Sequence, residues 1–236
     1  MTLPHPTVFL IDVDNTLIDN DAIQQDIKDH LERVYGRASR VRYWKLLDEL
    51  FAELGYRDYL GALQRYRVEH ALEVELLSMS SFLVDYPFAD RLLPGALAVL
   101  KWLDRLGLTV ILSDGDVVFQ PRKVERGGLS AAVDGRVLIY VHKEKALDDV
   151  ERRYPADHYI IVDDKVRILA AVKQCWGERV TTVFVRQGSY AHDPKAVGAF
   201  PRADVTIERI ADLLHCDLLG LGVAPGRAAS SVEARR

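Results

Sequence analysis

The chain has 236 residues, with 31 basic and 35 acidic side chains, a net charge of −4 and 49% apolar residues. That length suits one large domain, or one domain carrying a smaller second one. The charge balance excludes an overall electrostatic pull toward nucleic acid or acidic membranes, leaving only a local basic patch as an option.

In chain order, the first apolar run is VFLIDV at 8–13, which reads as a buried strand emerging from a Pro-rich start. It ends in two carboxylates, Asp12 and Asp14, on the same side of the chain at a spacing of two, followed by Asn15 and Thr16. From about residue 20 to 90 no strand pattern appears. DAIQQDIKDHLERVYG carries Ile23, Ile27, Leu31 and Val34 at helical spacing, and YWKLLDELFAELG repeats the pattern with Trp44, Leu47, Leu50, Phe51 and Leu54. A third helical stretch covers roughly Tyr59 to Leu77. These helices are expected to form a cap over 20–90, with linkers near Asp19–Asp21 and Tyr86–Pro94. Trp44 and Phe51 are expected in its core. Tyr56, Arg57, Tyr59, Arg65, Tyr66 and Arg67 could build a substrate pocket, although stems covering the core of the cap are the plainer reading of each. His70 reads as structural or exposed.

After the insert the rhythm becomes strand and helix in alternation. The helix PGALAVLKWLDRLG (94–107) has Pro at its start and Gly at its end, and LTVILSD (108–114) follows as a strand. Gly127-Gly128 marks a helix end before VLIYV (137–141), and KALDDVERRY (145–154) is the next helix. HYIIVDD (158–164), KVRILAAVKQCWG (165–177), TTVFV (181–185), ADVTI (203–207) and IERIADLLH (207–215) complete the series. This is the signature of an α/β fold: a doubly wound parallel sheet with helices on both faces, and a helical cap inserted after the first strand. The core is expected at 1–19 and 91–216. The Gly/Ala/Ser-rich stretch 217–236 reads as a disordered tail. Cys175 and Cys216 form neither a CxxC motif nor a disulfide framework. With no basic, long apolar leader and no apolar run near the ~20 residues of a membrane span, a reduced cytoplasmic setting without membrane or nucleic-acid partners is expected.

Ligands of open parallel sheets bind beyond the carboxyl ends of the strands. Those ends carry Asp12-Val13-Asp14-Asn15-Thr16, then Ser113-Asp114-Gly115, then His142-Lys143, then Asp163-Asp164. Up to four carboxylates on one edge would repel one another and raise some of their pKa values unless a cation joined them. Hard oxygen ligands without a Cys or His set favour Mg2+ over zinc. Taken singly, a DxD after a strand is more often a turn or a helix cap than a catalytic pair. The joint placement carries the argument.

This constellation resembles the haloacid dehalogenase (HAD) superfamily, in DVDNT, ILSDG, VHKEK and VDD taken in order, up to about residue 215. The helical insert between the first two motifs resembles the C1-capped, phosphatase-like branch. The resemblance implies Asp12 as nucleophile and metal ligand, and Asp14 as general acid and then base, its backbone carbonyl reaching the metal. It implies a phosphoryl cradle of Val13, Asp14, Ser113, Asp114 and Gly115, with the amides of Asp114 and Gly115 as donors. Lys143 would neutralise the nucleophile and phosphoryl oxygens, and is favoured over Lys145 because it follows the strand directly. Asp164 would be the remaining Mg2+ ligand, with Asp163 and Thr16 behind the ligands. Ile168 stands where the family often has a further acid or asparagine, a departure in the metal shell. The implied activity is Mg2+-dependent hydrolysis of a small phosphomonoester through an aspartyl-phosphate. A phosphomutase would share these core residues. A haloacid dehalogenase would not need Asp14, and a phosphate-binding domain without activity should have lost Asp12 or Asp14.

Overall fold

Strand β1 (His5–Ile11) enters the interior with Val8, Phe9, Leu10 and Ile11 fully buried. Successive side chains of a strand point to opposite faces, so such a run needs cover on both sides. In the computed structural model, which describes residues 4–70 and 76–216, it has that cover. Phe9 and Ile11 join one apolar cluster, and Val8 and Leu10 join a second on the other face of the sheet. The stretch 217–236, expected to be a tail, and part of the third helical stretch (71–75) lie outside the described residues.

After β1 come α1 (Asn20–Leu54), α2 (Tyr59–Glu69), α3 (Leu76–Val84) and α4 (Ala96–Leu103). The rest alternates: β2 (Leu108–Asp114), α5 (Phe119–Arg126), α6 (Leu129–Ala132), β3 (Val137–Tyr140), α7 (Leu147–Arg153), β4 (Ala156–Asp163), α8 (Val166–Trp176), β5 (Val180–Val185), α9 (Gly188–Ala191), α10 (Pro194–Gly198) and β6 (Val205–Ile207). The six described strands are all parallel, in the order β3-β2-β1-β4-β5-β6. The winding reverses beside β1, where Ile11 pairs with Ile111 of β2 and with Val162 of β4. A crevice at the carboxyl ends follows from that reversal. Asp12, Ser113 and Asp163 are thereby brought to one rim.

Helices α1 to α3 occupy the stretch between β1 and β2. The chain leaves and returns side by side, since Ile18 and Leu92 form an antiparallel bridge and the Leu93 amide donates to the Leu17 carbonyl at 2.9 Å. On this closure we propose 20–90 as the cap and 1–19 with 91–216 as the core. The two helices expected within 20–54 are the arms of α1, separated by a break at Gly36 (φ 84°, ψ 165°). Asp19 caps the start of α1, accepting the Ala22 amide at 2.9 Å. Gly55 ends it in the left-handed conformation, and a Cβ there would lie 2.4 Å from the His142 ring, so this end of the cap touches the core only because the residue is glycine.

Two sequence expectations are corrected. Phe51 is 47% exposed rather than core, whereas Trp44, half-buried, packs against the apolar cluster as expected. The helix expected at 207–215 is a 3-10 segment, Ile210–His215, because Ile207 completes β6. Helix α5 has no apolar stripe to announce it: its buried residues are Phe119, Gln120, Lys123 and Val124. Pro121, in its first turn where no amide partner is needed, was the available signal.

Phe119 joins cap to core, 4.5 Å from the Tyr59 ring and 5.3 Å from that of Phe88 between centroids. Replacing it with alanine should cost about 3–5 kcal/mol of unfolding free energy, read by chemical denaturation. A loss under about 1 kcal/mol would mean that this aromatic contact does not hold the two parts together.

Candidate active site

Asp12 leaves the end of β1 almost completely buried. Its Oδ1 accepts from Lys143 Nζ at 2.5 Å and its Oδ2 from the Thr16 hydroxyl at 3.2 Å. Lys143, also buried, reaches Asp163 Oδ2 at 2.6 Å, so one ammonium bridges the ends of β1 and β4. Its amide donates to Asp114 Oδ1 at 2.7 Å, which ties the loop after β3 to the end of β2. Lys145 is exposed. The geometry therefore brings Asp12, Thr16, Lys143, Asp163 and Asp164 together and leaves Lys145 outside.

Asp14 faces another way. Its Oδ1 accepts from Lys123 Nζ at 2.6 Å and more weakly from Gln120 Nε2 at 3.3 Å, both on α5. Gln120 Nε2 also donates to Ser113 Oγ at 2.9 Å, and a Cβ on Gly115 would lie 2.5 Å from the Gln120 Cβ. Gln120 thus links Ser113, at the end of β2, to Asp14. The expected phosphoryl cradle needs one correction: the Gly115 amide already donates to the Tyr140 carbonyl at 3.0 Å. The Val13 side chain is buried in the core, and its carbonyl accepts from the amides of the turn that follows.

The charges explain the acidities. Burial raises the Asp12 carboxyl to about 6; Lys143 opposes this and Asp163 adds to it. Asp164 is pushed well above the ordinary value by burial, with Lys165 opposing and Asp163 adding. Burial would lower the Lys143 ammonium, but Asp12, Asp163 and Asp114 outweigh it and hold the group charged. Burial would raise Asp14, yet Lys123 outweighs it and keeps the carboxyl ionised.

Asp12, Asp163 and Asp164 each place an oxygen within 4.8 Å of the others, and Asp164 Oδ1 is buried without a hydrogen-bond partner. An orphaned carboxylate oxygen beside two others fits a hard divalent cation. The Asp14 carboxylate is not in this group. Asp163 Oδ1 accepts the Lys165 amide at 2.8 Å, while its Oδ2, paired in charge with Lys143 at 2.6 Å, is buried without a hydrogen bond like Asp164 Oδ1, so all three carboxylates can turn an oxygen to a metal. Ile168 is fully buried in the sheet's second cluster, so it gives nothing to the metal shell.

A cavity of about 500 Å³ opens over Asp14 and Asp164, walled by Phe51, Tyr56, Arg57 and Tyr59 from the cap and by Lys165 and Arg167 from the core. The other suggested cap residues stand elsewhere. Arg65 pairs with Glu53 at 2.6 Å, Tyr66 is buried in the cap and stacks on His70 at 4.2 Å, and Arg67 is exposed.

The model of the haloacid dehalogenase-like hydrolases matches residues 6–187. The chain belongs to this family. A HAD-like hydrolase from Burkholderia xenovorans LB400 is 60% identical, with a TM-score of 0.87 over 91% of this chain and 100% of that one. The L-2-haloacid dehalogenase from Xanthobacter autotrophicus with chloropropionic acid covalently bound shares the fold at 18% identity (TM-score 0.59; 94% and 100% covered). A HAD hydrolase from Bacillus subtilis bound to magnesium does so at 16% (TM-score 0.60; 90% and 98%). No curated protein matches the chain in sequence. Among the described residues, no helix is long and apolar enough to cross a membrane.

The HAD motifs missed Lys123 and Gln120, which sit three apart on α5, and Gln187, whose Nε2 donates to the carbonyls of Asn15 at 2.9 Å and Thr16 at 3.1 Å. A spacing of three on a helix was the only hint of the first pair.

Because folding raises the Asp164 pKa, the metal-free protein is destabilised as pH climbs from the unfolded carboxylate value toward the folded one, and that cost is in force at neutral pH. Asp164→Asn should therefore raise Tm in chelator at pH 7, by about 2–4 °C for each kcal/mol relieved. Added Mg2+ should stabilise the wild type more than the variant. A lower Tm for the variant in chelator would show that Asp164 is not strained by its neighbours.

Proposed function

We propose that the protein is a Mg2+-dependent hydrolase of small phosphomonoesters that works through an aspartyl-phosphate on Asp12, in the manner of the C1-capped, phosphatase-like branch. The observation that supports this best is the separate holding of two aspartates: Asp12 by Lys143 and Thr16, and Asp14 by Lys123 and Gln120. A nucleophile alone suffices to displace halide from carbon. A second acid at the mouth of the same cavity is useful when a leaving oxygen needs a proton.

In the first step an Asp12 oxygen bonds to phosphorus as the bond to the ester oxygen breaks, and Asp14 protonates that oxygen. Asp14 is ionised at rest, so the proton it gives enters with the phosphomonoester monoanion. In the second step water attacks phosphorus, its proton returns to Asp14, and the bond to Asp12 breaks to release phosphate. Lys143 holds positive charge where the nucleophile and phosphoryl oxygens accumulate negative charge, and the Ser113 hydroxyl is available to a phosphoryl oxygen. Mg2+, held by Asp12, Asp164 and the Asp14 carbonyl, would supply charge neutralisation for the phosphoryl group. The cavity of about 500 Å³ limits the substrate to a small ester, and the two isolated cysteines suit a cytoplasmic setting.

The test is phosphate release from a panel of small phosphomonoesters with and without Mg2+, beside chloride release from L-2-chloropropionate. Mg2+-dependent phosphate release is expected, falling by more than about 10³-fold in Asp12→Asn. Chloride release without phosphate release would replace this reading with a dehalogenase. Phosphoryl transfer between positions of a substrate, without net release, would replace it with a mutase.

The nucleophile must be ionised, so in limiting Mg2+ the rate should rise with pH through an apparent pKa of about 6. Saturating Mg2+ should move that limb to lower pH. An acid limb insensitive to Mg2+ would mean that the titrating group is not at the metal site.

A further inference from the structure

Lys123 is claimed by none of the sequence motifs. It projects from α5 into the protein and is 1% exposed. Taking an ammonium out of water costs several kcal/mol unless its protons find acceptors. Here Nζ donates to Asp14 Oδ1 at 2.6 Å and to Asn20 Oδ1 at 2.9 Å, and lies 5.3 Å from the centroid of the Phe119 ring. Asn20 is the first residue of α1, and Phe119 is the aromatic residue that packs on Tyr59 of the cap. One buried cation therefore ties Asp14 to the root of the cap. Gln120 donates to the same carboxylate oxygen. Asp14 Oδ1 carries both contacts, and Asp14 Oδ2 has no partner among the described residues, although the side chain is 24% exposed beside the cavity.

We propose that Lys123 is the positioning residue for Asp14: by holding Oδ1 it fixes the carboxyl plane so that Oδ2 is the oxygen that exchanges the proton with the substrate. This rests on the phosphomonoester reading. In the first step the proton moves from Asp14 Oδ2 to the departing oxygen as the bond from phosphorus to that oxygen breaks and the bond to Asp12 forms. In the second step the same oxygen takes the proton that water gives up. That proton then leaves with the released phosphate, which returns Asp14 to its resting ionised form, and no oxidant or further reactant is needed. Lys123 itself touches neither phosphorus nor the leaving group.

A residue that acts only through proton donation matters in proportion to the leaving group's need for a proton. A p-nitrophenolate leaves unaided, whereas an alkoxide does not. The experiment measures kcat/KM, which reports the steps through cleavage of the ester bond, for p-nitrophenyl phosphate and for small alkyl phosphates. Wild type, Lys123→Met and Asp14→Asn are compared in saturating Mg2+. Lys123→Met is expected to lose about 100-fold on alkyl phosphates and less than about fivefold on p-nitrophenyl phosphate, following the trend of Asp14→Asn. Thermal melts check folding, and Lys123→Gln, which keeps a donor for Asp14 without the charge, replaces the methionine variant if that one does not fold. An equal loss on both ester classes, or no loss, overturns the positioning role while the phosphomonoester reading stands, provided Asp14→Asn keeps its leaving-group dependence. A wild type that hydrolyses neither class overturns the phosphomonoester reading itself, and this inference with it.

Discussion

The Lys143 ammonium is the interaction on which the site depends. It reaches Asp12 at 2.5 Å and Asp163 at 2.6 Å, at the ends of two neighbouring parallel strands, with all three groups buried. A buried ion cluster of this kind is a poor source of stability, because desolvation consumes most of the Coulomb attraction. What it provides is placement. The register of β1 on β4, with Ile11 opposite Val162, sets the two carboxylates at the spacing one ammonium can span. A slip of one residue would turn Asp12 to the other face of the sheet. The sheet's apolar strands supply the driving force, and the rim spends part of it on holding charge.

Charge at this rim is divided into two compartments. Asp12, Asp163 and Asp164 share Lys143 and the nearby Lys165, and burial raises the acids Asp12 and Asp164, with the carboxylate of Asp163 adding to the rise and the two ammonium groups opposing it. Asp14 is withdrawn from that group by α5 and stays ionised beside Lys123. Two aspartates only two residues apart therefore meet different electrostatic surroundings. This separation lets neighbouring identical side chains take different chemical roles.

The cap is bound to the same machinery. The Asn15 side chain accepts the amides of Asn20 at 2.9 Å and Asp21 at 3.2 Å, and Asp21 in turn accepts the Ser189 amide at 2.6 Å. Arg91 at the returning linker pairs with Asp26 of α1, and Tyr86 shares that carboxylate. The first turn of α1 is thus anchored to the loop after β1, to α5 and to the segment after β5. Asn20, the first residue of that turn, shares the Lys123 ammonium with Asp14.

The sequence by itself determined the strands and the motifs at their ends. Short apolar runs between polar boundaries, alternating with helical patterns, read as strands buried on both faces, and Asp12, Asp14, Ser113, Lys143 and Asp164 each directly follow or end such a run or stand within two residues of one. It could not show α5 as a working element, because hydrophobic periodicity finds a helix by its apolar face and the buried face of α5 includes Gln120 and Lys123. Nor could it show that Phe51 lines a cavity rather than a core, or that the Gly115 amide is spent on Tyr140, since both depend on what lies across a gap in space. Local pattern records which face of an element avoids water. Which polar group meets which, across elements as far apart in the chain as Asp14 and Lys123, is decided only when the sheet and the cap close on one another.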